Sequence, residues 1–344
     1  MTQANLSSER PLLTIAIPTY NRNASLARTV AVLIPQVSAA CKLLILDNLS
    51  DIPVSETLAQ ILAVADMRHI RIIRHNVNIG ASANILRCIE ECDTPWIWIV
   101  NDKCLPRPGA VKTILSSVKD TPEAVYFQFN GEDDYSTSHR SVTEVTTGRL
   151  DFVKNIWLFS QLMDINTGVY NVHRIQPFVR YGYIYSFTLV PHVATLLMAL
   201  DNKAVSVLSK EYIVTRQFTP FQDRPSRLQF ATGFPTLLQL QLTKDERTAL
   251  WRKMKNSMPS AKYCIIVCMM ASASGDSNAS YQLRCYFQMI QLNDRSLKTK
   301  IMRCIAAILM LDAAHCLHVL RIAARLFFGR DLDDVRDVDR FARI

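Results

Sequence analysis

Leu12-Leu-Thr-Ile-Ala-Ile-Pro-Thr-Tyr-Asn-Arg22 and Lys42-Leu-Leu-Ile-Leu-Asp-Asn-Leu-Ser-Asp51 decide the fold. Each opens with a short aliphatic run and breaks into polar side chains, so each reads as a buried strand feeding a loop at its carboxyl end. Between them, Ala24–Val37 has the apolar spacing of a helix. The alternation continues: His69–His75 reads as a strand leading into Asn76–Gly80, Ala81–Glu91 as a helix, and Trp96–Val100 as a fourth strand running into Asn101-Asp102-Lys103. Strand and helix alternate with a period of about 30 residues, the length of a parallel crossover unit. The expected fold is therefore α/β, a mostly parallel sheet flanked by helices on both faces.

In such sheets the ligand crevice lies beyond the carboxyl ends of the strands. All four polar clusters fall at that edge, which is where side chains with chemistry are expected. Further along, Pro106–Gly109 reads as a turn, Ala110–Val118 as a helix, Ala124–Asn130 as a strand and Gly131–Ser141 as a polar surface loop. After Leu150 the pattern becomes more helical, with a long apolar stretch over Tyr183–Leu200 and a short strand at Ala204–Leu208; from Thr236 onward it is all helical. The expected organisation is an α/β domain over residues 1–230 and a helical region over 231–344.

Composition is that of a globular protein, 49% hydrophobic and 20% charged. The formal charge of +9 suits nucleic acid, an anionic membrane or a phosphorylated substrate. No basic run interleaved with aromatics is present, which argues against nucleic acid. The nine cysteines lie mostly in apolar runs, as buried thiols of a reducing compartment do. Cys88 and Cys92 are spaced for one helix face, but two further zinc ligands are lacking. The amino terminus shows no export signal. The longest apolar runs, Tyr263–Ala273 and Ile305–Leu311, fall short of the roughly 20 residues of a spanning helix. The expected location is cytoplasmic, soluble or peripheral. A hydrolase nucleophile elbow, a P-loop and a glycine-rich dinucleotide turn are all missing from the sequence.

Thr14-Ile-Ala-Ile-Pro-Thr-Tyr-Asn-Arg22, Leu44-Ile-Leu-Asp-Asn-Leu-Ser-Asp51, Asn78-Ile-Gly80 with Asn84, and Val100-Asn-Asp-Lys-Cys-Leu-Pro-Arg-Pro-Gly109 resemble, in order and spacing, the motifs of family-2 glycosyltransferases. The resemblance spans roughly residues 11–130 and implies a GT-A fold that binds a nucleotide-sugar donor. It implies that Pro18, Tyr20 and Arg22 line the base pocket and that Asp47 accepts hydrogen bonds from base or ribose; the plain alternative for Asp47 is a helix cap. Asn78 and Gly80 would shape the loop near ribose and phosphates, or form an ordinary turn.

Relatives carry Asp-Asp-Asp or Asp-x-Asp in the fourth motif, where a divalent metal, Mg or Mn, bridges the diphosphate. Here the residues are Asn101, Asp102 and Lys103. Three readings stand open: Asp102 binds a metal with the Asn101 carbonyl, Lys103 neutralises the diphosphate directly, or catalysis has been lost.

Relatives also place an acidic general base ahead of a helix and then a strand. The matching context, Val190–Leu200 followed by Ala204–Leu208, puts His192 there, and an imidazole titrating near neutrality can serve. Asp164 is the second candidate for base or acceptor contact, with a capping role as its alternative.

Met302–Phe328, with Arg303, His315, His318, Arg321 and Arg325, reads as one amphipathic helix with a basic edge. Such a helix suits an anionic membrane surface or packing against protein. The resemblance implies inverting transfer to a saccharide or lipid-linked saccharide in surface polysaccharide synthesis, such as O-antigen, lipopolysaccharide core or capsule, at the inner face of the cytoplasmic membrane. The rival readings are an inactive relative that binds nucleotide sugar or a partner enzyme, and a membrane-associated scaffold.

Overall fold

The first five residues of β1 (Leu13–Thr19) are all buried, which is what a central strand covered on both faces requires. The structure, a computed structural model, describes residues 10–63, 67–132, 139–216, 232–294, 296–328 and 332. The chain divides into two compact units, Met1–Arg224 with Leu240–Lys253, and Pro225–Gln239 with Met254–Ile344.

The first unit is built on a nine-stranded sheet. Its strands after β1 are β2 (Cys41–Asp47), β3 (Ile70–Arg74), β4 (Trp96–Ile99), β5 (Cys104–Pro106), β6 (Ala124–Glu132), β7 (Glu144–Thr147), β8 (Gly168–Asn171) and β9 (Val205–Arg216). The order is β3-β2-β1-β4-β8-β6-β9-β5, with β7 also pairing β9. Six strands, β1, β2, β3, β4, β6 and β9, run in one direction, while β5, β7 and β8 run against it. The mixed α/β sheet is thus mostly parallel, as the alternation of strand and helix implied.

Helices α1 (Asn23–Leu33), α2 (Val54–Leu62) and α3 (Ala81–Glu90) connect the parallel strands β1 to β4, and α4 (Ala110–Asp120) leads from β5 to β6. Each buries one stripe: Leu26, Val30 and Leu33 on α1, and Val111, Ile114 and Val118 on α4. These join Ile15, Ile17, Leu43, Ile45, Trp98 and Phe127 in one apolar core.

Several elements differ from the sequence expectation. A strand, β5, stands directly after Lys103, and β7 and β8 occupy stretches without strand alternation. β9 runs to Arg216 rather than stopping at Leu208, because polar Ser209, Lys210 and Glu211 interrupt its apolar pattern without ending the ladder. The apolar stretch Tyr183–Leu200 contains one regular helix, Pro191–Ala199, all of it buried. The middle of the Gly131–Ser141 loop, residues 133–138, lies outside the described residues.

The second unit is helical, with Ala261–Ala273, Ala279–Asn293, Leu297–Leu309 and Ala313–Phe328 as its main helices. Tyr263, Cys264, Cys268, Leu283, Phe287, Ala306, Leu317 and Ala324 form its own core. The single amphipathic helix expected over Met302–Phe328 is broken: the chain turns by 109° between Leu309 and Ala313. No single described helix is long and apolar enough to cross a membrane.

Candidate functional site

Asparagine and aspartate side chains clip together the loops at the carboxyl edge of the sheet. On leaving β1 the chain takes a left-handed turn at Asn21, φ 51°, a conformation asparagine tolerates better than most residues. The Asn21 backbone N–H donates to Ser50 Oγ at 3.0 Å, and its amide exchanges two bonds with Asp51, at 3.1 and 2.7 Å. The ring of Tyr20 stays 42% exposed at this mouth, beside half-buried Pro18 and Arg22.

Asp47, at the end of β2, is wholly buried. One carboxylate oxygen accepts from the Ser50 N–H at 2.8 Å; the other accepts from Arg74 at 2.6 Å and from the Val54 N–H at 3.4 Å, at the start of α2. Burial works to raise its pKa, but the bonds from Ser50, Arg74 and Val54 outweigh it and hold the carboxyl below its usual range. Both Asp47 oxygens are thus engaged in holding the loop, including a bond to the first N–H of α2, the cap-like role named beside base or ribose binding. Arg74, the partner, was not singled out by the motifs.

Asn48 and Asn78 lock the next two loops. Asn48 donates to Asn78 Oδ1 at 2.7 Å and accepts from the Ile79 N–H at 2.9 Å, and Asn78 Oδ1 also accepts from the Gly80 N–H at 2.9 Å. Gly80 has φ 82° and ψ 157°, in a region essentially reserved for glycine. A Cβ there would meet nothing within 4 Å, so the backbone torsion alone demands glycine.

On the other side of β1, Thr19 donates to Asp102 Oδ2 at 2.7 Å. Asp102 is only 6% exposed, and burial pushes its carboxyl up to about 6 against the Thr19 bond and the charge of Arg22. Thr29 of α1 donates to the carbonyls of Asp102 and Cys104 at 3.3 and 3.1 Å, fixing the loop from beneath. The Asn101 side chain folds back, its Oδ1 accepting from the Lys103 N–H at 2.9 Å. Lys103 is half-buried.

These residues do not fit a divalent-cation site. The Asn101 oxygen is taken by its own turn, the one carboxylate is bonded to Thr19, and an ammonium follows it in sequence. A hard cation on a diphosphate is held by one or two carboxylates with phosphate and water oxygens; this loop offers one, beside an ammonium, and among the described residues no three His, Cys, Asp or Glu side chains group to add more.

Asn166 connects this loop to the segment before β8. Its Oδ1 accepts from the Asn101 N–H at 2.7 Å, its Nδ2 donates to Asp164 Oδ1 at 2.6 Å, and its carbonyl accepts from the Trp98 indole at 2.8 Å. Asp164 is half-buried and its carboxylate also caps the Asn166 N–H at 3.3 Å. Asn166, the residue that links the two, carried no signal in the sequence beyond its spacing from Asp164.

His192 lies behind this wall, 2% exposed, its Nε2 donating to the Leu162 carbonyl at 2.9 Å. Its Nδ1 has no hydrogen-bond partner among the described residues. Burial pushes its pKa down to about 4, opposed by the Leu162 bond and the charge of Asp164. The ring sits in the first turn of a helix whose every residue is buried, and it is neutral at pH 7.

A depression at the opposite, amino-terminal edge is lined by Lys42, Arg71, Glu91 and Asp93. Its charges pair with each other, Lys42 with Asp93 at 2.6 Å and Arg71 with Glu91 at 2.8 Å, so it is no rival site.

A mostly parallel sheet with aromatic, amide and cationic side chains gathered at its carboxyl edge has the layout of an α/β ligand-binding domain. Residues 14–174 match the model of Glycosyl transferase family 2. No curated protein matches the sequence. The fold is similar to that of S. aureus TarS 1-349, with TM-score 0.59 and 9% identity over 94% of this chain and 95% of that one. TarS 1-349 has also been solved with UDP-GlcNAc. The mannosyltransferase PcManGT from Pyrobaculum calidifontis, in complex with GDP-Man and Mn2+, matches with TM-score 0.50 and 10% identity over 93% of this chain and 88% of that one. Residues 14–174 thus carry a family-2 glycosyltransferase domain, within a GT-A-like fold that continues into a helical C-terminal region.

Proposed function

We propose that the chain transfers a sugar, with inversion, from a nucleoside-diphosphate sugar to a hydroxyl of a saccharide or lipid-linked saccharide in surface polysaccharide synthesis. The observation that carries this reading is the continuous wall from Thr19 through Asp102 and Asn101 to Asn166 and Asp164. It joins the Asn101–Lys103 loop to the Asp164 carboxylate, which supports giving the first to the diphosphate and the second to the proton.

In this proposal Tyr20, with Pro18, takes the base on its exposed ring. Asn78 and Gly80 shape the loop beside the ribose and phosphates. Lys103 and Arg22 bring positive charge to the diphosphate, where the leaving group gathers negative charge. Asn101 and Asp102 hold Lys103 in place. The acceptor oxygen attacks the anomeric carbon opposite the diphosphate, the bond to the phosphate oxygen breaks, and Asp164 takes the acceptor proton. Asn166 fixes the Asp164 carboxylate by donating to it, and His192 acts as a positioning residue by holding the Leu162 carbonyl beside it. No step passes through a metal.

The test is calorimetric binding of uridine, guanosine, cytidine and thymidine diphosphates, with manganese and with excess chelator, followed by transfer assays with the nucleotide sugar that binds. One nucleotide is expected to bind equally in both conditions, and Lys103→Ala to weaken it on the order of tenfold or more. Asp164→Asn is expected to bind donor as the wild type does and to lose transfer by about a hundredfold or more. Binding that vanishes with chelator would overturn the Lys103 assignment, and no binding of any nucleotide would overturn the transferase reading.

A further inference from the structure

The helices Leu297–Leu309 and Ala313–Phe328 each carry two apolar faces, and the core of their unit uses only one. Ala306, Ala313, Leu317 and Ala324 are buried against Tyr263, Ile266, Leu283 and Phe287. Leu297, Ile301, Ile305 and Ile308 on the first helix, and Val319, Ile322 and Leu326 on the second, remain exposed. At about 100° per residue, the first set falls within about 80° of arc and the second within about 60°, each facing away from the buried alanines. They are stripes, not scattered residues, and side chains of this size normally find a partner.

Their borders are basic. Lys298 and Lys300 flank the first stripe on either side, and Arg325 and His318 lie along one flank of the second, all exposed. Over residues 297–328, Lys298, Lys300, Arg303, Arg321 and Arg325 stand against a single carboxylate, Asp312. An apolar stripe between cations fits one kind of surface, an acyl boundary topped by negative headgroups. A spanning arrangement does not suit the geometry. The helices have 13 and 16 residues and meet at 109°, and at 1.5 Å per residue neither reaches across the roughly 30 Å hydrocarbon layer.

We infer that the Leu297–Leu309 and Ala313–Phe328 helices lie in the plane of an anionic lipid bilayer, with Ile301, Ile305, Ile308, Ile322 and Leu326 in the acyl boundary and Lys298, Lys300 and Arg325 at the headgroups. The inference rests on the second unit alone and is independent of the sugar-transfer reading.

The full chain is incubated with sucrose-loaded vesicles of phosphatidylcholine, with or without about one third phosphatidylglycerol, and sedimented. Co-sedimentation is expected with the anionic vesicles, weak or none with the neutral ones, and release by sodium carbonate washing. Ile305→Glu with Ile308→Glu is expected to lower partitioning by about tenfold or more. Lys298→Gln, Lys300→Gln and Arg303→Gln together should lower it by about tenfold or more on anionic vesicles only. Circular dichroism and thermal melting of both variants, altered only at exposed positions, check the fold. Four results would overturn the inference. They are a wild type that stays in the supernatant, binding that neither variant alters, a pellet that resists carbonate and so marks insertion, and a wild-type dimer that the glutamate variant dissolves without any vesicle binding.

Discussion

His192 shows how burial decides the chemistry of a side chain. Its Nε2 donates to a carbonyl and its Nδ1 is buried without a hydrogen-bond partner among the described residues, and burial lowers its pKa from 6.5 to about 4. In the unfolded chain it takes up a proton first, so its contribution is complete above pH 6.5 and is lost as the pH falls toward 4. The size of that loss is on the order of 3 kcal/mol. Urea unfolding of the wild type and His192→Asn at pH 7 and pH 4.5 checks this: the variant is expected to lose less stability over the interval, and parallel losses would mean the ring is not held neutral. Sequence placed His192 by its context ahead of a helix, and that context survives, since it sits in the first turn of Pro191–Ala199. What the sequence does not carry is the exposure of that turn, which depends on the segments that fold over it. Asp47 is parallel. The motif gave its position at a strand end, but only the approach of Arg74 from β3, 27 residues away, shows that the carboxylate turns inward. At Lys103 the sequence shows a cation in an acidic motif whatever the fold, and left open whether it, a metal at Asp102 or neither serves the diphosphate.

At the scale of elements, the loops are set by torsion as much as by hydrogen bonds. Gly80 and Gly148 both lie at positive φ ahead of a helix, at 82° and 79°. A Cβ at Gly80 meets nothing, while one at Gly148 comes 2.9 Å from the carbonyl oxygen of Asn202. Gly80→Ala is therefore expected to cost only the torsion, about 1–3 kcal/mol, and Gly148→Ala measurably more, because backbone must also move. Paired denaturant titrations compare the two, and a larger loss at Gly80 would refute the ordering. Gly80→Ala is also the change that should disturb the Asn48 and Asn78 clip. The parallel half of the sheet was legible because strands buried on both faces read as unbroken apolar runs. β5, β7 and β8 were not, having three or four residues each and no alternation to mark them. Their pairing is created by β9 and β4, not by their own sequence. The Asn166 link was hidden for the same reason, since it forms only once β8 is laid beside β4.

Each unit has apolar packing of its own, around Ile15, Trp98 and Phe127 in the first and around Cys264, Leu283 and Phe287 in the second. Each unit is therefore expected to unfold as its own cooperative block. Scanning calorimetry should resolve two transitions, and Phe287→Ala, which removes a fully buried ring, should lower only one of them, by about 3–5 kcal/mol in stability. A single endotherm displaced as a whole would refute this. The helical unit was foreseen as helical but not as sharply bent, because a turn of chain at Met310–Asp312 has no proline or glycine to announce it.

The long strand β9 has a bearing on how copies of this protein meet. Its first half is covered by β7 and its last residues by β5, so one border of the sheet ends in two fragments of four and three residues instead of an open ladder. The other border, β3, is a five-residue strand carrying Arg71 and Arg74. Short, broken or charged edges offer an incoming strand little backbone to bond with. The sheet is thus guarded against edge-to-edge aggregation.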